Sequence, residues 1–209
     1  MIEIGDAVVY PHDLDTLNDK SWVGDMIIHA HGILLERKAR SENKKVLFIP
    51  PCTVQFFRYY PDEIVFDSIP YWNPFDSNIV FIPFSDGTSC QDVGSHWHLL
   101  MWLPNGSKDS LNEFVHFDSM FQNCDISLIE SVVDRFTYLY QVKKYVLKHA
   151  TCPQQTNGYD CGVYLMSYEE FLSANEGSIE GLDSVITPIY IQAQRKCIQQ
   201  HLIDFGKQK

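Results

Sequence analysis

Residues 154–162 read QQTNGYDCG and run directly into the apolar stretch VYLM at residues 163–166. Asn157 and Gly158 favour a tight turn, because both residue types tolerate positive φ. The apolar residues that follow recur at helical spacing, which predicts a helix that begins beside Cys161. The sequence therefore places a cysteine where a turn gives way to a helix.

Cys161 is a candidate nucleophile because of that position. Asp160 is a suitable N-cap, which puts Cys161 in the first turn of the helix. Unpaired backbone N–H groups and the positive end of the helix dipole there favour the thiolate over the thiol. Gly162 leaves room for a substrate backbone to approach. A cysteine chosen at random is more often a small buried core residue, and these features together reverse that expectation.

Length and composition indicate one compact domain over residues 1–209. Hydrophobic residues make up 45% of the chain and charged residues 21%, as in an ordinary globular protein. The net charge of −11 disfavours nucleic acid as a partner and suits a basic protein or peptide tail. No segment has the length and apolarity of a membrane span, and the first residues lack a signal-peptide pattern. We expect a monomer with no membrane partner.

The six cysteines are widely spread, and no two of them form a C-x-x-C pair. This spacing argues against a zinc site and against a disulfide framework. We therefore expect no metal and no cofactor. A reducing compartment, the cytoplasm or the nucleus, fits such a set of cysteines best.

Hydrophobic periodicity predicts an α+β fold in which a helix and a strand precede a meander of strands, with helices after it. The predicted elements are an extended segment over residues 1–20, a helix capped by Ser21 and ending near Arg40, a strand at 46–49, a short helix at 53–60, a loop at 61–78, strands at 79–84, 96–103 and 113–118, a long helix at 126–148, the helix that begins beside Cys161, and a final helix from Ile186.

A thiol is only slightly ionised at neutral pH, so Cys161 needs an adjacent base. Histidine titrates nearest to pH 7, and a carboxylate can fix its tautomer and stabilise the imidazolium. If the strands on either side of residues 104–110 form a hairpin, a register in which paired residue numbers add to 214 sets His96 opposite Asp118. A register that adds to 216 pairs His98 with Asp118 instead. Spacing alone leaves both choices open, and a histidine on a strand is more often structural.

The loop before the cysteine also offers an oxyanion donor. The side-chain amide of Gln154 or of Gln155 has N–H groups that can bind an oxyanion alongside the backbone N–H of Cys161. The residue types by themselves do not decide between the two glutamines.

Four segments together resemble the Ulp-type, or sentrin-specific, cysteine peptidases. They are SWVGD at residues 21–25, HWHL at 96–99, HFDS at 116–119 and QTNGYDCG at 155–162. The resemblance extends over about residues 8–205. It implies a papain-like α+β fold of the Ulp type, with a central mixed sheet flanked by helices and the nucleophile at a helix N-terminus.

The resemblance also implies roles for particular residues. The catalytic set that it implies is Cys161 as nucleophile, His96 as base, Asp118 as its partner and Gln155 as oxyanion residue. His98 and Gln154 are thereby set aside. His98 stands where the family commonly has a small or apolar residue, and Gly24 stands where it commonly has asparagine.

Trp22 and Trp97 match the two tryptophans with which family members clamp the Gly-Gly end of a modifier. Steric fit supports this match, because only glycines are thin enough to pass between two indole faces. Asp25 is expected to bind substrate as part of an acidic surface that receives an arginine-bearing tail, together with Asp62 and Glu63. The other two tryptophans, Trp72 and Trp102, are assigned to the core.

The function that the resemblance implies is that of an isopeptidase and processing protease, which cleaves after the C-terminal Gly-Gly of a ubiquitin-like modifier. The motifs look most like the deneddylase branch, so the neddylation modifier and its conjugates are the expected partners. The alternatives are a SUMO-specific protease, a non-catalytic module that binds ubiquitin-like proteins, and an acyltransferase.

Overall fold

A five-stranded mixed sheet forms the centre of the protein, in a computed structural model that describes residues 1–69, 73–121 and 124–207. Its strands lie in chain order: β3 (Val46–Phe48), β4 (Ile79–Ser85), β5 (Trp97–Leu103), β6 (Leu111–Phe117) and β7 (Lys144–His149). The three inner strands are antiparallel, whereas each edge strand runs parallel to its neighbour.

A two-stranded hairpin and eight helices surround this sheet in the described parts of the chain. The elements are β1 (Ile2–Ile4), β2 (Ala7–Val9), α1 (Pro11–Asp15), α2 (Asp25–Ser41), α3 (Pro51–Tyr59), α4 (Asp62–Ser68), a 3₁₀ turn (Pro74–Asp76), α5 (Ile126–Leu139), α6 (Cys161–Ala174), α7 (Leu182–Val185) and α8 (Pro188–Lys207). No helix within the described ranges combines the length and apolarity needed to cross a membrane.

The two faces of the sheet support two separate cores, because side chains alternate along each strand. Leu99 and Met101 on β5 face a core that includes residues of α2, α6 and α8. Leu100 and Trp102 on the same strand face a second core with residues of α3 and α5. Helix α6 is buried along most of its length, which makes it the central helix of the first core. The predicted α+β class is therefore confirmed.

Several predicted boundaries are wrong. Residues 1–20 contain the β1–β2 hairpin and helix α1, and residues 61–78 contain α4 and the 3₁₀ turn. Helix α2 begins at Asp25 behind an N-cap at Gly24, because the residues after Ser21 remain extended up to that point.

The predicted helix over 126–148 is two elements, α5 and the edge strand β7. Gln141 has a φ of 55°, a left-handed conformation that interrupts a right-handed helix. Residues 144–149 then pair in parallel with β6. Helix α7 also precedes α8, whose first residue is Pro188 and not Ile186.

The two tryptophans assigned to the core have different outcomes. Trp102 is fully buried, and its indole N–H donates a 2.9 Å hydrogen bond to Asn112 Oδ1, so this core assignment is confirmed. Trp72 lies outside the described residues.

Candidate active site

Cys161 is the first residue of α6, at the end of the turn formed by residues 154–160. Asp160 occupies the predicted N-cap position, although its side chain makes no capping hydrogen bond. The carboxylate instead accepts hydrogen bonds from Asn157 and from Arg195. Cys161 is only 3% exposed, yet it lines a cleft of about 530 Å³ that opens to solvent beside Trp22, His96 and Trp97.

His96 and Asp118 lie together next to this cleft. The distance from His96 Nε2 to Asp118 Oδ1 is 2.6 Å. The register that pairs Leu99 with Phe117 adds to 216, so the register of 214 is wrong. The contact forms nevertheless. His96 precedes β5 and Asp118 follows β6, so neither residue belongs to the hydrogen-bonded strand pairing that fixes which residues lie opposite each other. The backbone N–H of His96 is fixed by Asp86 Oδ1 at 2.9 Å.

The electrostatics of the pair favour the charged form of both partners. Burial lowers the pKa of His96, but hydrogen bonds with Asp118 and with Cys161 outweigh it and raise the pKa to about 9. Burial raises the pKa of Asp118, but the hydrogen bond from His96 and the nearby His98 lower it to about 2. The imidazole is therefore held as an imidazolium between a carboxylate and the sulfur.

The two glutamines of the loop differ in how their amides are used. The Gln154 N–H₂ group donates to the carbonyl oxygens of Asp118 and Cys152, at 2.8 and 3.0 Å. Gln155 accepts from Ser119 Oγ at 2.7 Å and gives one N–H to the carbonyl of Asn157. An amide nitrogen carries two hydrogens, so Gln155 has a second N–H for a ligand. The Gln154 N–H₂ group is already used in hydrogen bonds within the protein, which hold the loop in place.

The two predicted clamp tryptophans line the same cleft. Trp22 is 57% exposed, and its indole N–H donates to the Gly158 carbonyl at 2.7 Å. Trp97 is half-buried and donates to the Val23 carbonyl at 2.9 Å. The N–H group of each indole is therefore hydrogen-bonded within the protein, so any contact with another molecule would be made by the apolar ring faces.

The expectation that Gly162 makes room for substrate is wrong. A Cβ at this position would lie 2.7 Å from Val23 Cβ and 3.3 Å from Trp97 Cδ1. The glycine therefore allows the segment before α2 to pack against the start of α6. It positions the wall of the cleft and does not open it.

The predicted acidic surface is only partly available. Asp25 is exposed, begins α2 and lines the cleft. Asp62 is engaged by Arg135 and by the Tyr138 hydroxyl, so a basic tail would compete with these partners, and its expected role stays a prediction. Glu63 is exposed on α4.

Comparison with known proteins identifies the family. The model of the Ulp1 protease family, C-terminal catalytic domain, matches residues 72–181. The chain belongs to the Ulp1 protease family. Human "Sentrin-specific protease 8" is 29% identical over 200 residues, which cover 91% of this chain and 90% of that protein. "NEDD8-specific protease 1" of Arabidopsis thaliana is 28% identical over 78% of this chain and 70% of its own length.

Solved structures share the fold of this Ulp1-family chain. The C-terminal Ulp1 protease domain in complex with Smt3, the yeast ortholog of SUMO, superimposes with a TM-score of 0.70. It is 17% identical, over 98% of this chain and 86% of that one. The Xanthomonas campestris effector XopD, bound to ubiquitin, gives a TM-score of 0.63 at 20% identity, over 88% and 91% of the two chains. The predicted Ulp-type fold is confirmed.

Sequence reasoning missed two features of this Ulp1-family site. Arg195 of α8 reaches the residue before the nucleophile from 35 positions away, and nothing in its local sequence signals this. A group formed by the buried residues His98, His116 and Asp118 and the partly buried Cys124 lies behind the His96–Asp118 pair. These residues come from two strands and a loop, so no pair of cysteines close together in the sequence signals them.

Proposed function

We propose that this Ulp1-family peptidase cleaves after the C-terminal Gly-Gly of the ubiquitin-like modifier NEDD8, as a processing protease and an isopeptidase. The observation that carries the proposal is the contact of His96 with Asp118, at 2.6 Å, beside a cysteine that begins a helix in an open cleft. This arrangement supplies a nucleophile, a proton carrier and a charge that keeps the carrier protonated.

The reaction begins when the Cys161 thiolate attacks the carbonyl carbon of the terminal glycine. The C–N bond to the lysine amine breaks, and His96 gives its proton to the departing nitrogen. A thioester then joins the modifier to Cys161. His96, now neutral, takes one proton from the water that attacks the thioester, and the C–S bond breaks to restore the thiolate. The glycine carboxylic acid so formed loses its proton to solvent.

The negative charge on the tetrahedral intermediate is assigned to two donors. One is the backbone N–H of Cys161, which as a first-turn group has no partner within its helix. The other is the second amide N–H of Gln155, whose side chain Ser119 holds through the amide oxygen. Donors fixed before the reaction stabilise developing charge without having to reorganise.

Trp22 and Trp97 are assigned as the clamp on the Gly-Gly segment. Exposed tryptophans in monomeric proteins frequently mark contact sites, because their burial contributes strongly to binding. The anchored N–H groups of both indoles keep the rings in place before the substrate arrives. We expect a side chain on either residue of the segment to be excluded from between the two rings, since glycine alone is thin enough to pass.

The names of relatives favour NEDD8 over SUMO. The human, mouse and rat relatives are called sentrin-specific protease 8, and relatives in Arabidopsis thaliana and Schizosaccharomyces pombe are called NEDD8-specific proteases. Asp25, exposed at the cleft, suits an arginine in the tail of the modifier. SUMO is the second candidate, since the Ulp1 domain that shares this fold was solved in complex with the yeast ortholog of SUMO.

A panel of C-terminal amide substrates made from NEDD8, SUMO and ubiquitin tests the proposal. We expect kcat/KM for NEDD8 to exceed the other two by about tenfold or more. Cys161→Ala should abolish turnover and retain binding. Faster turnover of SUMO would assign the chain to SUMO. Failure to react with propargyl probes made from any of the three modifiers would support a non-catalytic binder, and acetyl transfer from acetyl-CoA would reveal an acyltransferase.

We further propose that residues 1–209 form a single catalytic domain, and that the protein acts as a monomer in the cytoplasm or nucleus. All six cysteines are free, and the exposed ones would be open to oxidation outside a reducing compartment. Sedimentation of the purified chain and localisation of a tagged chain in cells test these two points.

A further inference from the structure

A cluster of four potential metal ligands lies behind the His96–Asp118 pair. It consists of His98 on β5, His116 on β6, Asp118 and Cys124. One ligand atom from each residue lies within 4.8 Å of the other three. The first three residues are at most 3% exposed.

Two of the separations within this cluster already suit a tetrahedral site. His98 Nδ1 lies 3.2 Å from His116 Nε2 and 3.6 Å from Asp118 Oδ2. Zinc binds nitrogen and oxygen ligands at about 2.0–2.1 Å, so two ligands at the corners of a tetrahedron are about 3.3 Å apart. The observed separations bracket this value.

The two carboxylate oxygens of Asp118 face different neighbours. Oδ1 contacts His96 Nε2 and accepts the backbone N–H of Met120 at 2.7 Å. Oδ2 is buried and lies 3.6 Å from His98 Nδ1, and the Cys124 thiol interacts with the same carboxylate. A buried carboxylate is costly unless its charge is compensated, and a cation among these groups would compensate it.

The two histidines are oriented by further contacts. His116 Nδ1 lies 3.1 Å from His149 Nδ1 on β7, so its other ring nitrogen faces the cluster. The ring of Phe84 stacks on His98, with the centroids 5.1 Å apart and the planes 14° from parallel. Histidines that bind a metal are usually held in this way by a contact of the second ring nitrogen or by packing.

We propose that His98, His116, Asp118 and Cys124 form a binding site for a zinc-class divalent cation, and that its occupancy lowers peptidase activity. Two imidazoles, a carboxylate and a thiolate suit zinc and exclude magnesium or calcium, which prefer oxygen ligands. On binding, the Cys124 thiol releases its proton to solvent and four ligand bonds form.

The effect on activity follows from the shared carboxylate and rests on the proposed function. The ligand atoms are up to 4.8 Å apart, so closing them to tetrahedral spacing requires one or more of the four side chains, Asp118 among them, to shift toward the ion. The ion also withdraws charge from the carboxylate that holds His96. Asp118 then holds His96 less firmly, and proton transfer at Cys161 slows.

Metal binding is tested first in the Cys161→Ala protein, where the nucleophile cannot contribute a ligand. Cobalt(II) serves as the probe, because four-coordinate cobalt with a thiolate ligand gives visible d–d bands and a near-ultraviolet charge-transfer band. We expect one ion per chain. Adding Cys124→Ser should remove the charge-transfer band and weaken binding by roughly ten- to a hundredfold, whereas Cys197→Ser, at an exposed cysteine on α8, should change neither.

A missing band, or one that survives Cys124→Ser, would overturn the site. Thermal unfolding of each variant without metal shows whether it is folded, and His116→Asn provides a second variant that should reduce the d–d bands. The cobalt-binding measurement needs no peptidase activity, so its outcome is independent of the proposed function.

Inhibition is tested with the nucleophile intact, using zinc and a NEDD8 C-terminal amide. Each variant is compared with its own rate in the presence of chelator. We expect Cys124→Ser to need about tenfold more zinc for half-inhibition. Equal sensitivity in both proteins would place the inhibiting ion on Cys161 and His96, and would overturn the regulatory role.

Discussion

Arg195 Nη2 lies 2.7 Å from Asp160 Oδ1, and both side chains are buried. The same guanidinium donates to the backbone carbonyls of Thr16, Asn18, Ser21 and Tyr159. One side chain of α8 thereby joins the segment that leads to Trp22 with the residue before Cys161. The two walls of the cleft are held at a fixed separation by this arginine.

Replacing Arg195 by methionine should destabilise the protein strongly. The substitution leaves the Asp160 carboxylate buried without its cation, and removing one partner of a buried pair costs about 3–5 kcal/mol. Urea unfolding measures the loss in the free energy of unfolding. We expect kcat/KM to fall as well, because the arginine no longer joins the two walls of the cleft. Arg195→Lys should recover only part of the stability, since lysine lacks the fork that reaches several carbonyls.

The pair of Lys143 and Asp109 provides the control for Arg195. Both of its side chains are more than 60% exposed. Exposed ion pairs contribute little, so Asp109→Asn should leave the urea midpoint unchanged. An Arg195→Met protein as stable as Asp109→Asn would show that the buried pair does not hold the cleft.

The pH dependence of catalysis should report the pKa of His96. This pKa is raised to about 9, where the hydrogen bonds with Asp118 and Cys161 outweigh burial. The imidazolium must give its proton to the leaving amine, so kcat/KM on an amide substrate should fall as the pH rises through about 9. Asp118→Asn removes a negative charge that raises this pKa, and the alkaline limb should therefore move to lower pH.

Asp118→Asn should also lower kcat by about 10²–10⁴-fold, since the imidazole loses its orienting carboxylate. The profiles are measured in buffers that contain a chelator, with Asp109→Asn as a control for the loss of a carboxylate elsewhere. An alkaline limb that stays in place in Asp118→Asn would contradict the assigned role of this residue.

The local features of the site could be predicted from the sequence, whereas its long-range contacts could not. The helix that begins at Cys161 matches the prediction. The chain also bends before it, but neither Asn157 nor Gly158 has the positive φ that the prediction invoked, and the Asn157 side chain instead accepts hydrogen bonds from the backbone N–H groups of Tyr159 and Asp160. The contact of His96 with Asp118 forms just beyond the ends of β5 and β6, so strand register does not determine it, and the turn-rich loop leaves that register open by two residues in any case. The resemblance to the family selected His96, although the register used to support it is wrong.

The errors in the fold have a similar origin. Apolar residues continue past Leu139 at spacings that suit a helix, but the same residues also suit a half-buried strand. The left-handed conformation of Gln141 and the pairing of β7 with β6 decide the matter. Tertiary pairing therefore overrides local periodicity at this edge of the sheet.

The two adjacent glutamines should respond differently to loss of their amides. Gln155→Leu removes the assigned oxyanion donor, and kcat should fall by about 10²–10³-fold with little change in KM. Gln154→Leu removes hydrogen bonds to the Asp118 and Cys152 carbonyls, so it should mainly lower the free energy of unfolding, by about 1–3 kcal/mol. Steady-state kinetics and urea unfolding of both variants separate the two effects. A larger loss of kcat in Gln154→Leu would reverse the assignment.

Two glycines of the nucleophile region provide a matched test of packing. In Gly162→Ala the new methyl group would meet Val23 Cβ at 2.7 Å, and Val23 carries the carbonyl that anchors Trp97. Alanine favours a helix over glycine by about 1 kcal/mol, so any net loss must come from this contact. We expect the variant to be destabilised by about 1–3 kcal/mol and its KM for NEDD8 substrates to rise, because the wall of the cleft is displaced.

Gly158→Ala is the control for Gly162→Ala, because a Cβ at this position meets no atom within 4 Å. Its unfolding midpoint should match that of the wild type, and the Gly158 carbonyl remains available to Trp22. Urea unfolding together with kcat/KM for both variants checks the comparison. If Gly162→Ala were as stable and as active as Gly158→Ala, the close packing of Val23 against α6 would have no part in shaping the cleft.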